Sequence, residues 1–438
     1  MRSLAVDAAM GQGTNPSVTV WNGAERTPGI AVIGAGVVGM ASALHLQRVL
    51  GGVTAIDPLQ PGGGASFGNG GLIAVDSCGP MSTPGMLRQA PRWLLNPDGP
   101  LAINHGYAIR ALPWLMGRVS SGKMHRIIAA SDAFRTLHKP ALDIYRDMLG
   151  RENFHSLIRQ SGHVEVWEGA NISDSERIGG ELRARHGIAH ESLSLDALKQ
   201  LVPQISPAIK RASFVPNGAH TINPLRLVQK LADLFVEAGG SLLREQVMKL
   251  LPLDGGGYRV LTNIGDYRFA KLVIAGGAWS NRLLKPLRVS LPLEAERGYH
   301  VMVRGSSLDL KLPVLHRGKG FGATPMEEGV RFAGTVEIAG LDIEMNERRS
   351  ASIRRHAENM FPGLATKQST IWMGFRPCFP DNLPVIDQVK QYPGLFVACG
   401  HGHFGVTSAP ATGLALSRMM TGQPPAFDLT PFRLARFN

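Results

Sequence analysis

The apolar positions of this chain fall into short runs punctuated by glycine. Ile30–Ile33 is an unbroken apolar run, mostly β-branched, and reads as a buried strand. Val37–Leu50 has helical character, and Val53–Ile56 reads as the next strand. Gly34, Gly36 and Gly39 separate the first strand from the helix, and Asp57 closes the second strand. Farther along, "YRVLTNIGDYRF" reads as a hairpin with its turn near Asn263–Gly265. "LVIAGGAWSNRLL", Leu272–Leu284, then reads as strand, small-residue turn and helix. Leu395–Met420 reads as strand, glycine loop and a helix beginning near Ser408. Leu293–Gly305 and Phe321–Ile338 read as further strands, the second with a turn at Glu327–Gly329. "NERRSASIRRH", Asn346–His356, reads as one face of a basic helix.

With 438 residues the chain exceeds what one core usually serves, so two domains are expected. At 44% apolar and 18% charged residues it has the composition of an ordinary globular protein. The three cysteines, Cys78, Cys378 and Cys399, are odd in number and lack CxxC spacing. That argues against a disulfide framework and a cysteine zinc site, and places the chain in a reducing, cytoplasmic setting. The net charge of +12 suits a solvated basic surface, anionic substrates or peripheral contact with the inner face of a membrane. No run of five or six basic residues and no RNA-binding signature occurs, so no nucleic-acid partner is expected. No window reaches the ~18 unbroken apolar residues of a spanning helix. Residues 1–28 lack an apolar core like that of a signal peptide and read as a flexible extension. Oligomeric state is not legible.

Strand, glycine turn, helix, strand and acid occur in the order a dinucleotide site requires. Gly34 allows a tight turn, Gly36 lets the backbone approach a pyrophosphate, and Gly39 lets helix and strand pack closely. The helix N-terminus offers free N–H groups to phosphate. Asp57, 23 positions after Gly34, can accept from a ribose diol and disfavours a 2′-phosphate, but the motif alone does not separate NAD from FAD. "GGGASFGNGGLI", Gly62–Ile73, offers backbone and the Ser66 hydroxyl to a second phosphate and then to a flat ring.

At "VIGAGVVGMASAL", "GASFGNGGLI", "VIAGGAWS", "GFRPCFPDNLPVI" and "GHGHFGVTSAPATG" the chain resembles the D-amino-acid oxidase superfamily of flavoproteins. Within it, the likeness is to the D-amino-acid dehydrogenase and glycine oxidase branch, over nearly the whole chain from Gly29 to Met420. The resemblance implies an α/β fold, α+β overall. A Rossmann-like FAD domain would be assembled from 29–100, 205–285 and 371–425. A substrate domain on a large antiparallel or mixed sheet would come from 101–204 and 286–370. It implies FAD, with contacts from Asn69, Gly71, Leu72, Val247 and Gly277 besides the first motif. Some family members hold FAD covalently through a cysteine or a histidine; the matching positions here are Gly374 and Gly68, so non-covalent FAD is expected.

Arg376 stands in the apolar segment "MGFRPCFPDNLPVID". A planar guanidinium in such a setting suits a carboxylate held by two parallel hydrogen bonds, and Arg376 matches the family's carboxylate-binding arginine. The alternative is a structural pair with Asp381 or Asp387. The backbone of "GHGHFGVTS" suits negative charge growing on the flavin ring, through Gly402, His403, Gly405 and Thr407. His401 and His403 form HxH, but no third ligand is evident nearby in sequence, so no metal is expected. Tyr299 matches a glycine–tyrosine common in the dehydrogenase branch and reads equally as a pocket or a core residue. Relatives often carry a further tyrosine near "KGFGATP", where this chain has Phe321, with His316 able to reach the same space. That departure suits a substrate with an apolar or cyclic side chain.

The expected reaction is FAD-dependent oxidation of D-amino acids, by hydride transfer from the α-carbon to flavin N5. It gives an imino acid and passes electrons to a quinone, another carrier or oxygen. The runner-up is an oxidase or dehydrogenase of a secondary or cyclic amino acid: D-proline, a hydroxyproline or sarcosine.

Overall fold

The computed structural model describes residues 29–79, 84, 96 and 98–437. The N-terminal extension read at 1–28 therefore lies outside the described residues. No described helix is long and apolar enough to cross a membrane.

The described residues form four sheets. The first has six strands in the order Ser241–Leu243, Val53–Ile56, Ile30–Ile33, Lys271–Ile274, Leu395–Cys399 and Val385–Gln388. All neighbours pair in parallel except the last. Its alternation divides two cores. Ile30 and Val32 join a cluster with helices Val37–Leu50, Pro224–Glu237 and Gly405–Thr421. Ala31 and Ile33 face the opposite cluster, built with a three-stranded sheet that includes the expected hairpin, Tyr258–Thr262 and Asp266–Phe269. The first strand sits between strands that continue the sheet in both directions, so the glycine turn at its end opens at a topological switch point.

The mixed nine-stranded sheet is built around the long strand Glu294–Arg304. Gly329–Ile338 pairs on one side of it and Thr370–Cys378 on the other, both antiparallel. Thr370–Cys378, which carries Arg376, is thus a strand of the large sheet, and so is Arg211–Val215. Tyr299, Val301 and Val303 face a core capped by helix Glu347–Met360, which Asn346 caps by accepting from the Arg348 N–H. Glu296, Gly298 and His300 alternate to the other face.

One expected boundary moves. The last helix starts at Gly405 rather than near Ser408 and runs through Pro410. Proline has no N–H for the carbonyl of Val406, and the buried Tyr145 hydroxyl donates to that carbonyl at 2.7 Å. The lost helical bond is replaced, so the helix continues.

Candidate active site

The turn after the first strand is shaped by missing side chains. Gly34 has φ 115°, and a Cβ there would overlap the Ala275 carbonyl. A Cβ on Gly39 would overlap the Gly34 carbonyl, so helix and strand are in backbone contact. The Val37 N–H donates to the Ser66 hydroxyl at 2.9 Å, which draws the Gly62–Ile73 loop over the helix start. Asp57 accepts from Ala35 N–H and from Leu59 N–H, each at 2.8 Å, one on each carboxylate oxygen. Burial pushes its pKa up and those two bonds oppose the rise.

From this turn a cavity of about 1690 Å³ runs to the large sheet. Gly34, Gly36, Asp57, Ser66, Asn69, Leu72, Val247, Gly277, Gly402, His403, Gly405, Arg376 and His316 all line it. Where it meets the large sheet the Arg376 guanidinium lies over Gly298 and donates to the Thr335 carbonyl at 3.0 Å. Neither alternative partner reaches it: Asp381 accepts from Arg436, and Asp387 from the Leu434 N–H. Beside it, His403 Nε2 lies 2.8 Å from Glu296 Oε2, and Arg118 Nη2 lies 3.4 Å from Glu296 Oε1. Burial alone would raise the Glu296 pKa, but Arg118, His403 and Arg376 hold it near 2. His403 is held below its ordinary value, first by burial and then by Arg376. Two guanidiniums against one carboxylate leave one net positive charge, the complement of a single carboxylate ligand.

A family model for FAD dependent oxidoreductases (DAO) matches residues 29–419. The chain belongs to that family. It is 33% identical to the D-amino-acid oxidase of Bradyrhizobium diazoefficiens, over 93% of this chain and 98% of that protein. It is 25% identical to the D-amino acid dehydrogenase of Rhizobium rhizogenes, over 93% and 99%. Among solved structures, glycine oxidase from Geobacillus kaustophilus superposes with a TM-score of 0.72 at 23% identity, over 94% of this chain and 99% of that one. These two likenesses by sequence and one by fold make the protein an FAD-dependent oxidoreductase of α/β architecture with a Rossmann-like domain.

FAD fits this oxidoreductase. Gly34 and Gly36 present backbone without side chains to the cavity, which suits a pyrophosphate, and the cavity exceeds the roughly 300–1,000 Å³ of ordinary ligand pockets. Gly68 and Gly374 also line it, and the Trp372 indole occupies the space a Cβ on either would need.

Four expected residues do not line the cavity. Gly39 serves helix packing. Gly71, at φ 81°, turns the loop against Thr221 and Met326, with its N–H donating to Asn69 Oδ1 at 2.8 Å. Thr407 accepts from the Ala74 N–H at 3.0 Å and ties loop to helix. Tyr299 is corrected most clearly. Strand alternation turns it to the face opposite Arg376, where its hydroxyl donates to Glu337 in the core. His316 is present at the cavity wall, stacked on Phe321 at 5.6 Å and bonded to Glu168 at 3.3 Å.

Sequence reasoning missed Glu296, Arg118, Arg331 and Trp372. Arg331 donates to the Phe67 and Asn69 carbonyls at 2.9 and 2.7 Å and pins the loop to the large sheet. The available signal was three charges, Glu294, Glu296 and Arg297, inside an otherwise buried strand. In HxH, His401 turns to Thr412 at 2.9 Å, away from His403. Glu296, Cys378 and His403 do place ligand-type atoms within 4.8 Å of one another. Arg118 and Arg376 face the same group, and their charge opposes a metal cation.

Proposed function

We propose that this oxidoreductase oxidises D-amino acids at the α-carbon to imino acids, with non-covalently bound FAD. The carrying observation is Arg376. It lines the cavity, its one hydrogen bond among the described residues goes to a carbonyl, and the charge around it calls for a carboxylate. Two curated relatives named for D-amino acids support the reading.

Bound FAD supplies the hydride acceptor. Gly34, Gly36, Asp57 and Ser66 would hold its phosphates and ribose, while Gly402, His403 and Gly405 would face its ring. Arg376 would clamp the substrate carboxylate and so fix the α-carbon. Thr335 and Gly298 keep the guanidinium in that orientation. FAD is assigned to the segments expected, less Thr370–Cys378 and Arg211–Val215, whose place in the nine-stranded sheet favours the substrate side. Trp372, closing the space above Gly68 and Gly374, supports non-covalent binding.

A secondary or cyclic amino acid is favoured by one observation: Phe321 lines the cavity, stacked between His316 and His356. A quinone, another carrier or oxygen would take the electrons. Peripheral contact with an anionic membrane belongs to the same proposal, supported by exposed Ile109, Leu112, Met116 and Val119 along helix Ala108–Ser121.

The test is anaerobic absorbance titration with D-alanine, L-alanine, D-proline, cis-4-hydroxy-D-proline and sarcosine. Bleaching by D-alanine supports the first reading. Bleaching only by the cyclic or N-methyl compounds supports the second. A spectrum unmoved by all of them refutes both.

A further inference from the structure

Glu296 has no part in the carboxylate clamp, yet it is the most confined charge of the site, 2% exposed. A carboxylate can only accept. Ionised Glu296 at 2.8 Å therefore requires the hydrogen of neutral His403 to sit on Nε2. That tautomer leaves a lone pair on Nδ1. Among the described residues Nδ1 has no hydrogen-bond partner, it is not a sealed atom, and the ring lines the cavity beside Arg376.

We propose that His403 is the base that takes a proton from the substrate ammonium, and that Glu296 is the positioning residue that presents Nδ1 for it. The inference rests on the amine-oxidation reading, because there the nitrogen must regain its lone pair before the α-hydrogen can leave as hydride. In the step, one N–H bond of the ammonium breaks and one N–H bond forms at Nδ1. The electron pair stays on the substrate nitrogen, and nothing is oxidised or reduced. The imidazolium so formed is offset by Glu296, and the proton passes to water when product leaves.

The surroundings suit this exchange. Burial, Arg376 and Arg118 keep resting His403 neutral, so it is ready to accept. Glu296 supplies the opposing attraction. Cys378, on the Arg376 strand, keeps its thiol proton because burial, and then Glu296, push its pKa up. Glu294, on the Glu296 strand, accepts from the Tyr107 hydroxyl at 3.2 Å. Its own pKa is raised, first by burial. Glu296 is thus the carboxylate bonded to His403.

The experiment uses the holoenzyme, His403→Asn, Glu296→Gln and Glu296→Asp, each checked by absorbance for bound flavin. The rate of flavin bleaching by D-alanine and by D-proline is followed from pH 6 to 10. His403→Asn should lose about 100-fold near pH 7 and recover most of it at pH 10, where the free amine has shed its own proton. Glu296→Gln should slow bleaching about 10-fold and move the acidic limb to lower pH, since removing a negative neighbour lowers the histidine pKa. Glu296→Asp should restore part of the rate.

¹⁵N NMR of histidine-labelled oxidised enzyme gives a readout without turnover. The signals absent from His403→Asn should report an Nε2–H tautomer, with a pKa that falls in Glu296→Gln. An Nδ1–H tautomer, or a loss in His403→Asn that is equal at every pH, overturns the base role alone. No bleaching of the unaltered enzyme by these two compounds or by L-alanine, cis-4-hydroxy-D-proline and sarcosine overturns the amine-oxidation reading and the base role together.

Discussion

The guanidinium of Arg376 lies over the α-carbon of Gly298, on the strand that pairs with its own, and a methyl group on Gly298 would overlap it. The space for the cation is made by the absence of a side chain on the neighbouring strand. Gly298→Ala should therefore push the guanidinium aside while leaving the glycine turn untouched. The expected result is bound FAD at full occupancy and a KM for amino acids raised at least about 10-fold. Arg376→Ala should lose about 10- to 100-fold in affinity, the value of a charge-assisted hydrogen bond of roughly 1.5–3 kcal/mol. Loss of FAD from Arg376→Ala instead would remove the carboxylate role.

Asp57→Ala removes the acceptor for the Ala35 and Leu59 N–H groups as well as the proposed ribose contact. FAD affinity should fall about 10- to 100-fold, read as flavin passing an ultrafiltration membrane. Unchanged retention would show that Asp57 only shapes the turn.

Trp372 fills the space next to Gly68 and Gly374, the two positions where covalent attachment was weighed from the sequence. All flavin should thus leave the acid-precipitated protein. Gly374→Cys should still release it, because the new side chain must first displace Trp372, at an overpacking cost of about 1–3 kcal/mol. A lowered melting temperature without retained colour is the expected pair of results; covalent colour in Gly374→Cys would show that Trp372 yields.

Burial depresses five histidines most strongly: His45, His138 and His220 to about 4, and His300 and His401 to about 3. In the unfolded chain they bind protons near pH 6.5 and in the folded chain only near 3 to 4. The unfolded state therefore holds more protons across that interval, and stability falls as pH drops from 6.5 toward 4. Denaturant unfolding at several pH values should show net proton uptake on unfolding within this window. His138→Gln should reduce the slope by close to one proton. A flat profile between pH 7 and 5 would contradict the burial of these rings.

Much of the fold was legible because its signals are local. The run Ile30–Ile33, the glycines after it and Asp57 lie within one βαβ unit, where spacing dictates contact. The hairpin around Asn263–Gly265 and the turn between Phe321–Met326 and Gly329–Ile338 are equally local. The helix start was misplaced because the hydroxyl that relieves Val406 comes from Tyr145, far away in sequence.

The site divides in the same way. The sequence by itself determined the nucleotide turn, the family and Arg376 as the cation in an apolar segment. These are properties of residue type at fixed spacing. Only the tertiary structure decided what surrounds that cation. Arg118 comes from a helix, Glu296 and Gly298 from the neighbouring strand, and His403 from the loop before the last helix. Strand pairing sets their register, and alternation sends Gly298 toward Arg376 and Tyr299 away from it. The two residues are adjacent in sequence, and only Tyr299 was a candidate there. A shift of one position in a strand reverses the face, so the pairing across the sheet, rather than the residue's chemistry, chose between them.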